Sequence, residues 1–323
     1  IKNIITTEER IIFYYFNNKK YSLKTNTLSQ VNFKNVEYIY LGIPDSQIYK
    51  TISNLLKLID PLKIHLIVDT PPIDLKNIFK ISIFNKFKTC SVMEESPFIP
   101  EFCEIKKLEK IVPNRKIEKI MYFHSGYMYH SFSQIKKLFQ INHFNFIYKK
   151  KTSRFTEEIN LFSGLKNISA IYNPRDYSVG RYLITYSDGF ISNYNLKIKN
   201  KKFNNSIYLE HIYDKDLYYG FKLIKNNNKI YECRTDFEYT FKSDKNIHSQ
   251  IHLISKEIGV RDYFIRLFEN KNYEDEKPYS IIDSTYDYIC TKLVNKIGFF
   301  IDCNLPLTKK SIIISVLEFF YNL

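Results

Sequence analysis

The segment Gly42-Ile43-Pro44-Asp45-Ser46 lies between strand-forming residues and a stretch with helical spacing. A nucleotide-binding fold has its phosphate-binding turn at this place, and that turn needs several glycines because the backbone approaches the phosphates closely. Here the segment contains one glycine, Gly42. Pro44 lacks a backbone donor and Asp45 adds negative charge, so the residues disfavour a pyrophosphate site and favour a plain strand-to-helix turn.

Two further polar positions follow strand-like stretches. Asp69 stands where an acid can accept hydrogen bonds from the two hydroxyls of a ribose, although a loop or helix-capping acid is an equal alternative. His124 precedes Ser125 and Gly126 and could act as a base. No partner carboxylate or nucleophile follows from the spacing, and a helix-capping role for Ser125 is the simpler interpretation.

A basic segment runs from Lys149 to Glu157 and contains Lys149, Lys150, Lys151, Arg154 and Phe155. Lysine and arginine contact phosphates, an aromatic ring stacks on a base, and a carboxylate accepts hydrogen bonds from guanine. These residue types suit a guanine nucleotide on RNA. The alternative is a solvated basic loop, since most runs of charge are solvated. Additional RNA contacts are expected at Lys197, Lys199, Lys201 and Lys202.

Alternating strands and helices must position these residues. Residues 36–42 and His65–Asp69 are expected strands, and residues 46–58 are an amphipathic helix capped by Asp45 or Ser46, which together make a βαβ unit. Hydrophobic spacing also predicts helices at 73–84 and 129–139 and strands at 119–123 and 144–148. This pattern predicts a mostly parallel sheet with helices on its faces.

The second half of the sequence changes character. Residues 181–241 alternate like antiparallel hairpins, with turns at 187–189 and 226–228. Helical spacing returns at 246–270 and 284–323, where Pro306 separates the last helices. The expected fold is therefore α/β and Rossmann-like, with a mostly parallel central sheet, an antiparallel edge and C-terminal helices, in a single domain over residues 1–323.

Composition indicates a globular protein whose basic charge favours an anionic partner, with a merely well-solvated surface as the alternative. The 323 residues are 44% hydrophobic and carry a formal net charge of +14, which excludes a disordered chain and favours nucleic acid over membrane. Five cysteines without a CxxC pair suggest neither a zinc site nor a disulfide framework, and fit an intracellular protein. No apolar stretch is long enough to span a bilayer, and since the sequence begins at Ile1, an N-terminal piece is expected to be missing.

Several stretches together resemble the poxvirus cap-specific 2′-O-methyltransferase family, whose members double as the small, processivity subunit of the viral poly(A) polymerase. The similar residues are Tyr286-Asp287-Tyr288, Cys303-Asn304, Pro306, Thr308-Lys309, and residues 319–323, 213–219, 177–186 and 36–87. This resemblance implies a methyltransferase fold for most of the chain.

The resemblance also implies a binding pocket for the mRNA cap. In the family, two aromatic rings and two carboxylates hold the 7-methylguanosine. Phe155 matches one ring, and Glu157 and Asp214 match the two acids. A positively charged base strengthens both kinds of contact.

The methyl-transfer residues match less well. Lys150 matches the family lysine that activates the ribose hydroxyl. Arg10 falls near the position of the family's other catalytic lysine. His124 stands at the position of the family's aspartate, and Val179 or Gly180 at the position of its glutamate. Arginine keeps its proton at working pH and replaces only the charge. S-adenosylmethionine is the implied cofactor, with Asp69 and Gly42 as its contacts; the single glycine argues against its binding, and no metal is implied.

The leading hypothesis is therefore an RNA- and cap-binding regulatory subunit of a poxvirus-type poly(A) polymerase with weak or no methyl transfer. Its alternatives are an active cap 2′-O-methyltransferase and a scaffold for another capping or transcription enzyme. The implied partners are the polymerase catalytic subunit and capped or polyadenylated RNA, with no membrane. The implied location is the virion and the host cytoplasm.

Overall fold

A computed structural model describes most of the chain. The described residues are 11–16, 19–24, 30–94, 98–99, 117–124, 128–139, 141–151, 157–163, 166–172, 181–186, 188–194, 205–214, 217–240, 247–269 and 279–301.

The chain divides into two compact units. An N-terminal unit consists of residues 1–69 and 73–91, and a C-terminal unit consists of residues 70–72 and 92–323. Compactness alone does not decide whether either unit folds independently. The single domain over residues 1–323 therefore stays a prediction.

The N-terminal unit contains a hairpin and a small sheet. Strands β1 (Ile11–Phe16) and β2 (Lys19–Lys24) pair antiparallel. The other elements are β3 (Tyr38–Leu41), helix α1 (Asp45–Leu55), 3₁₀ segments Pro61–Lys63 and Leu75–Lys86, β4 (His65–Asp69) and β5 (Thr89–Met93). The sheet order is β3-β4-β5 with β3 and β4 parallel, and the last two residues of β5 belong to the C-terminal unit.

Side-chain alternation explains how this sheet is packed. Ile39 and Leu41 of β3 are buried, whereas Tyr38 and Tyr40 are exposed. Helix α1 contributes the buried residues Ile48, Ile52 and Leu55, which are spaced to lie on one helix face. The N-cap residue is Pro44, not Asp45 or Ser46, and it makes no side-chain cap bond, although the Asp45 carboxylate accepts a hydrogen bond from Ser46 N in the first turn.

The C-terminal unit is built on a ten-stranded sheet. Its elements are β6 (Ile117–His124), α2 (Met128–Phe139), β7 (Phe146–Lys151), β8 (Glu157–Ser163), β9 (Lys166–Tyr172), β10 (Arg181–Tyr186), β11 (Gly189–Ser192), β12 (Ile207–Asp214), β13 (Leu217–Lys225), β14 (Asn228–Thr240), α3 (Ile247–Glu269), α4 (Ile281–Ile297) and β15 (Phe299–Ile301). The strand order is β14-β13-β12-β11-β10-β6-β9-β8-β7-β15.

This large sheet is mixed, with β6–β9 and β11–β12 as parallel pairs and antiparallel pairs elsewhere. The α/β class is confirmed, but β6 and β7 do not extend the parallel sheet of β3 and β4. Short connections between β7, β8 and β9 allow only hairpins, because a parallel crossover needs a dozen or more residues. The turn at residues 226–228 is confirmed, with positive φ at Asn226 and Asn227.

One hydrophobic core joins helices α2 and α4 to the large sheet. Phe132 and Ile135 of α2 and Val294 of α4 have no exposed surface, and they belong to the same cluster as Ile147 and Ile159 of the sheet. Full burial of such a side chain contributes about 1.5–3 kcal/mol. Within the described ranges, no helix is long and apolar enough to cross a membrane.

Candidate functional site

The turn after β3 is covered by an aromatic ring. A Cβ added to Gly42 would lie 3.0 Å from Tyr40 Cε1 and 3.3 Å from Tyr40 Oη. Gly42 itself has no φ in the left-handed region, unlike Gly220 and Gly298. Its small size therefore accommodates the ring of Tyr40.

The first turn of α1 is occupied by the chain's own carboxylate. Pro44 is the N-cap residue and has no backbone N–H, and the Asp45 carboxylate accepts a hydrogen bond from Ser46 N at 2.8 Å. A negative charge stabilises a helix N-terminus and competes there with any bound anion. The geometry therefore agrees with the sequence-based argument against a phosphate site.

Asp69 is the half-buried last residue of β4, and the Thr70–Pro71 peptide bond that follows Thr70 is cis. Its ribose-binding role stays a prediction. A cavity of about 480 Å³ lies at the other end of the strands, lined by residues such as Val36 before β3 and Ile64 before β4. The described cavity is thus at the amino ends of the strands, away from Gly42 and Asp69.

The C-terminal unit contains a histidine held by a buried carboxylate. His130 Nδ1 lies 3.0 Å from Glu94 Oε1 and 2.9 Å from Glu94 Oε2. Glu94 directly follows β5, and His130 is in the first turn of α2. The Glu94 side chain is 1% exposed and that of His130 is 18% exposed, so the imidazole reaches the surface while its partner does not.

A second charged pair connects α2 to α4. Lys136 Nζ lies 2.5 Å from Asp287 Oδ1, and Tyr279 Oη donates to Asp287 Oδ2. Lys136 also lies 4.9 Å from the centroid of the Tyr286 ring. Burial raises the pKa of Asp287 to about 6, although Lys136 and Tyr279 act in the opposite direction.

The two pairs are near each other and share Tyr279 as a neighbour. Val92 N donates to Tyr279 O at 2.9 Å, two residues before Glu94. Burial raises the pKa of Tyr279 well above its ordinary value, and Asp287, Asp283 and Glu94 add to this effect. We refer to Glu94, His130, Lys136, Tyr279 and Asp287 as the polar cluster.

The two halves of the polar cluster suit different tasks. A histidine that is oriented by a carboxylate and partly exposed to solvent can form a hydrogen bond with a ligand, and it can act as a general acid or base. Lys136 and Asp287 are almost fully buried and form an ion pair with each other, which links α2 to α4. Across the described part of the chain, no group of three His, Cys, Asp or Glu side chains could hold a metal ion.

The basic segment forms ordinary strand contacts where it is described. Lys149 Nζ pairs with Glu157 at 2.8 Å across β7 and β8, so Glu157 is already engaged. Lys150 is exposed. For Lys151, His124 and Asp214 only the strand backbone is described, and Arg10, Arg154 and Phe155 lie outside the described residues. The proposed contacts of these residues stay predictions.

Sequence reasoning missed Glu94 and His130. One signal was available, because Glu94 follows a short β-rich stretch as Asp69 does. His130 lies six positions beyond His124, within the expected helix, where its spacing gave no reason to single it out. Their contact joins residues 36 positions apart and depends on the tertiary fold.

Comparison with known proteins finds matches among solved structures and none by sequence. No protein-family model matches the sequence. No curated protein matches it either.

Solved structures match both units of the chain. An oxidoreductase from Bacillus cereus has a TM-score of 0.54 at 12% identity and covers 88% of this chain and 85% of its own. A putative myo-inositol dehydrogenase from Sinorhizobium meliloti has a TM-score of 0.52 at 10% identity, covering 83% and 82%. A super-repressor mutant of Gal80p from Saccharomyces cerevisiae has a TM-score of 0.50 at 13% identity, covering 83% and 81%.

These matches correct the functional hypothesis drawn from the sequence. The structural neighbours that are named as enzymes are oxidoreductases and dehydrogenases, and none is a methyltransferase, so the resemblance to the poxvirus methyltransferases is wrong. The assignments to a poly(A) polymerase subunit or a cap methyltransferase, and to S-adenosylmethionine as cofactor, are wrong for the same reason. The expected RNA and polymerase partners and the location stay predictions. At these identities the matches establish one conclusion: the chain has a Rossmann-like α/β fold shared with dehydrogenases.

Proposed function

We propose that this chain is a small-molecule-binding protein with a dehydrogenase fold, in which Nε2 of His130 accepts a hydrogen bond from the ligand. The observation that carries the proposal is the contact of His130 Nδ1 with both oxygens of the buried Glu94 carboxylate. This contact fixes the ring and keeps the proton on Nδ1. Nε2 is then the nitrogen that faces the ligand.

The ligand we propose is a small polyol. A hydroxyl group can donate a hydrogen bond to the unprotonated nitrogen of an imidazole. Two solved neighbours are named as dehydrogenases of inositols, which are polyols. Inositols are therefore the first probes to use.

A second candidate function is an oxidoreductase that uses NAD(P). The names of the neighbours favour this candidate. NAD(P) would supply hydride transfer, and Asp69 is the residue whose position suits its ribose. The turn at Gly42 does not fit the pyrophosphate, however, since Tyr40 covers the glycine and Asp45 adds negative charge. The first candidate is therefore the better supported of the two.

Thermal unfolding in the presence of myo-inositol and scyllo-inositol tests the proposal. A ligand that binds only the folded chain raises Tm, by about 5 °C when its concentration is about 100 times Kd. We expect this increase for the wild type and its loss in His130→Gln, where the ring nitrogen that accepts the ligand's hydroxyl is absent. Glu94→Gln should reduce the increase, because its amide orients the ring less firmly.

His143→Gln is the matched control, since His143 is exposed and lies outside the polar cluster. It should retain the full increase in Tm. Binding that is equal in the wild type and His130→Gln would contradict the role of His130. A wild type that responds to neither inositol would contradict the proposed ligand class.

A further inference from the structure

We infer that the turn at Gly42 does not hold the pyrophosphate of a dinucleotide. The N-terminal unit would then have the dehydrogenase fold without a functional phosphate-binding turn. This inference goes beyond the proposed function, because it concerns a different unit and a different ligand.

The described strands of the N-terminal unit place Gly42 where a dinucleotide-binding fold has its phosphate-binding turn. The order β3-β4-β5 follows the chain, as in one half of a doubly wound sheet, and Lys88 N donates to Ile64 O at 3.1 Å, which places the starts of β4 and β5 side by side. Gly42 directly follows β3, so the local structure at this glycine decides whether a pyrophosphate can bind there.

The Tyr40 ring keeps a phosphate from approaching the backbone at Gly42. A glycine in a phosphate-binding turn leaves open space above its α-carbon. At Gly42 that space contains the Tyr40 ring, whose nearest atom is 3.0 Å from the position of an added Cβ. A ligand would have to displace this ring before it could contact the backbone.

The negative charge and the lack of available backbone N–H donors at the start of α1 also oppose phosphate binding. Pro44 lacks the N–H that a phosphate would use, and Ser46 N already donates to Asp45. Asp45 is moreover the acidic residue of the first turn, and it would repel a pyrophosphate. Two independent features, namely steric cover and charge, therefore oppose the same ligand.

Calorimetric titration of the full chain with NADH and NADPH tests the inference. Working concentrations for enzyme ligands extend to about 1 mM, so we expect no saturable heat for either dinucleotide up to that concentration. Gly42→Val is the matched variant, because Gly42 does not need a left-handed φ and a larger side chain there would exclude a phosphate. A cooperative thermal transition in each sample shows that the protein is folded.

Saturable binding by the wild type that is lost in Gly42→Val would overturn the inference. Absence of binding supports it, and so does binding that is equally strong in both proteins, because that ligand would then lie elsewhere. Neither result alters the inositol experiment on His130, so failure of one proposal is distinguishable from failure of the other.

Discussion

The residues of the polar cluster differ in their access to solvent, and this separates binding from stability. His130 is 18% exposed, whereas Lys136 is 6% exposed and Asp287 is 1% exposed. A ligand can reach the partly exposed imidazole of His130. It cannot reach a buried ion pair without unfolding the contact between α2 and α4. We therefore expect changes at Lys136 and Asp287 to appear in stability measurements.

Asp287 should make stability depend on pH in an unusual direction. Its folded pKa is about 6 against an ordinary 3.8, so the folded chain binds more protons than the unfolded chain between these values. The free energy of unfolding should therefore fall as pH rises from about 4 to about 7, and the shift corresponds to about 3 kcal/mol. Urea unfolding across this range measures the effect.

The reference for this measurement is the double variant Lys136→Met with Asp287→Leu. Replacing a buried pair by apolar residues is often neutral or stabilising, so the variant should fold. Subtracting its unfolding free energy removes the contributions of all other titrating groups. A difference between wild type and variant that increases with pH would show that the pKa of Asp287 is lowered, contrary to our account.

Individual contacts were the part of the site least accessible from sequence. Asp69 and Gly42 could be located because they follow strands with recognisable alternation. The contact between Glu94 and His130 requires the end of β5 and the start of α2 to come together, and no local pattern specifies that meeting.

Among the elements, β13 depends on a glycine where two backbones approach closely. Gly220 has φ +132°, lies at a register shift between β13 and β14, and is buried against the neighbouring strand. An added Cβ would lie 3.1 Å from Arg234 Cα and closer still to Cys233 O. Both atoms belong to the backbone and cannot move aside independently.

Gly220→Ala should therefore destabilise the chain by about 3 kcal/mol, from strained φ together with the backbone clash. Gly298→Ala is the matched control: Gly298 also has positive φ, at +85°, but an added Cβ would have no neighbour within 4 Å. It should cost about 1 kcal/mol. Equal losses in chemical denaturation would contradict the close approach at Gly220.

Element prediction succeeded where the hydrophobic period was clear. Strand β4 has the expected bounds, and α2 begins one residue earlier than expected, at Met128. Residues Leu75–Lys86 form 3₁₀ turns where an α-helix was expected. Pairing in the large sheet could not be predicted, because alternation within a strand determines its buried face and does not identify its neighbours.

For the whole molecule, the main lesson concerns short resemblances. The stretch Tyr286-Asp287-Tyr288 was part of the resemblance to a cap methyltransferase. In the structure, Asp287 of α4 pairs with Lys136 of α2, and Tyr286 lies beside the same lysine. These residues are therefore explained by packing in this fold, and short matches among aromatic and charged residues did not determine the fold of the chain.

The most direct test of our central claim is an NMR spectrum of the histidine side chains, recorded while myo-inositol is added. His130 can be assigned among the seven histidines by comparison with His130→Gln. We predict that its Nδ1 carries a proton before the ligand is added, and that its Nε2 signal shifts saturably while the His143 signals stay unchanged. A proton on Nε2 alone, or ligand-induced shifts confined to other histidines, would contradict the account.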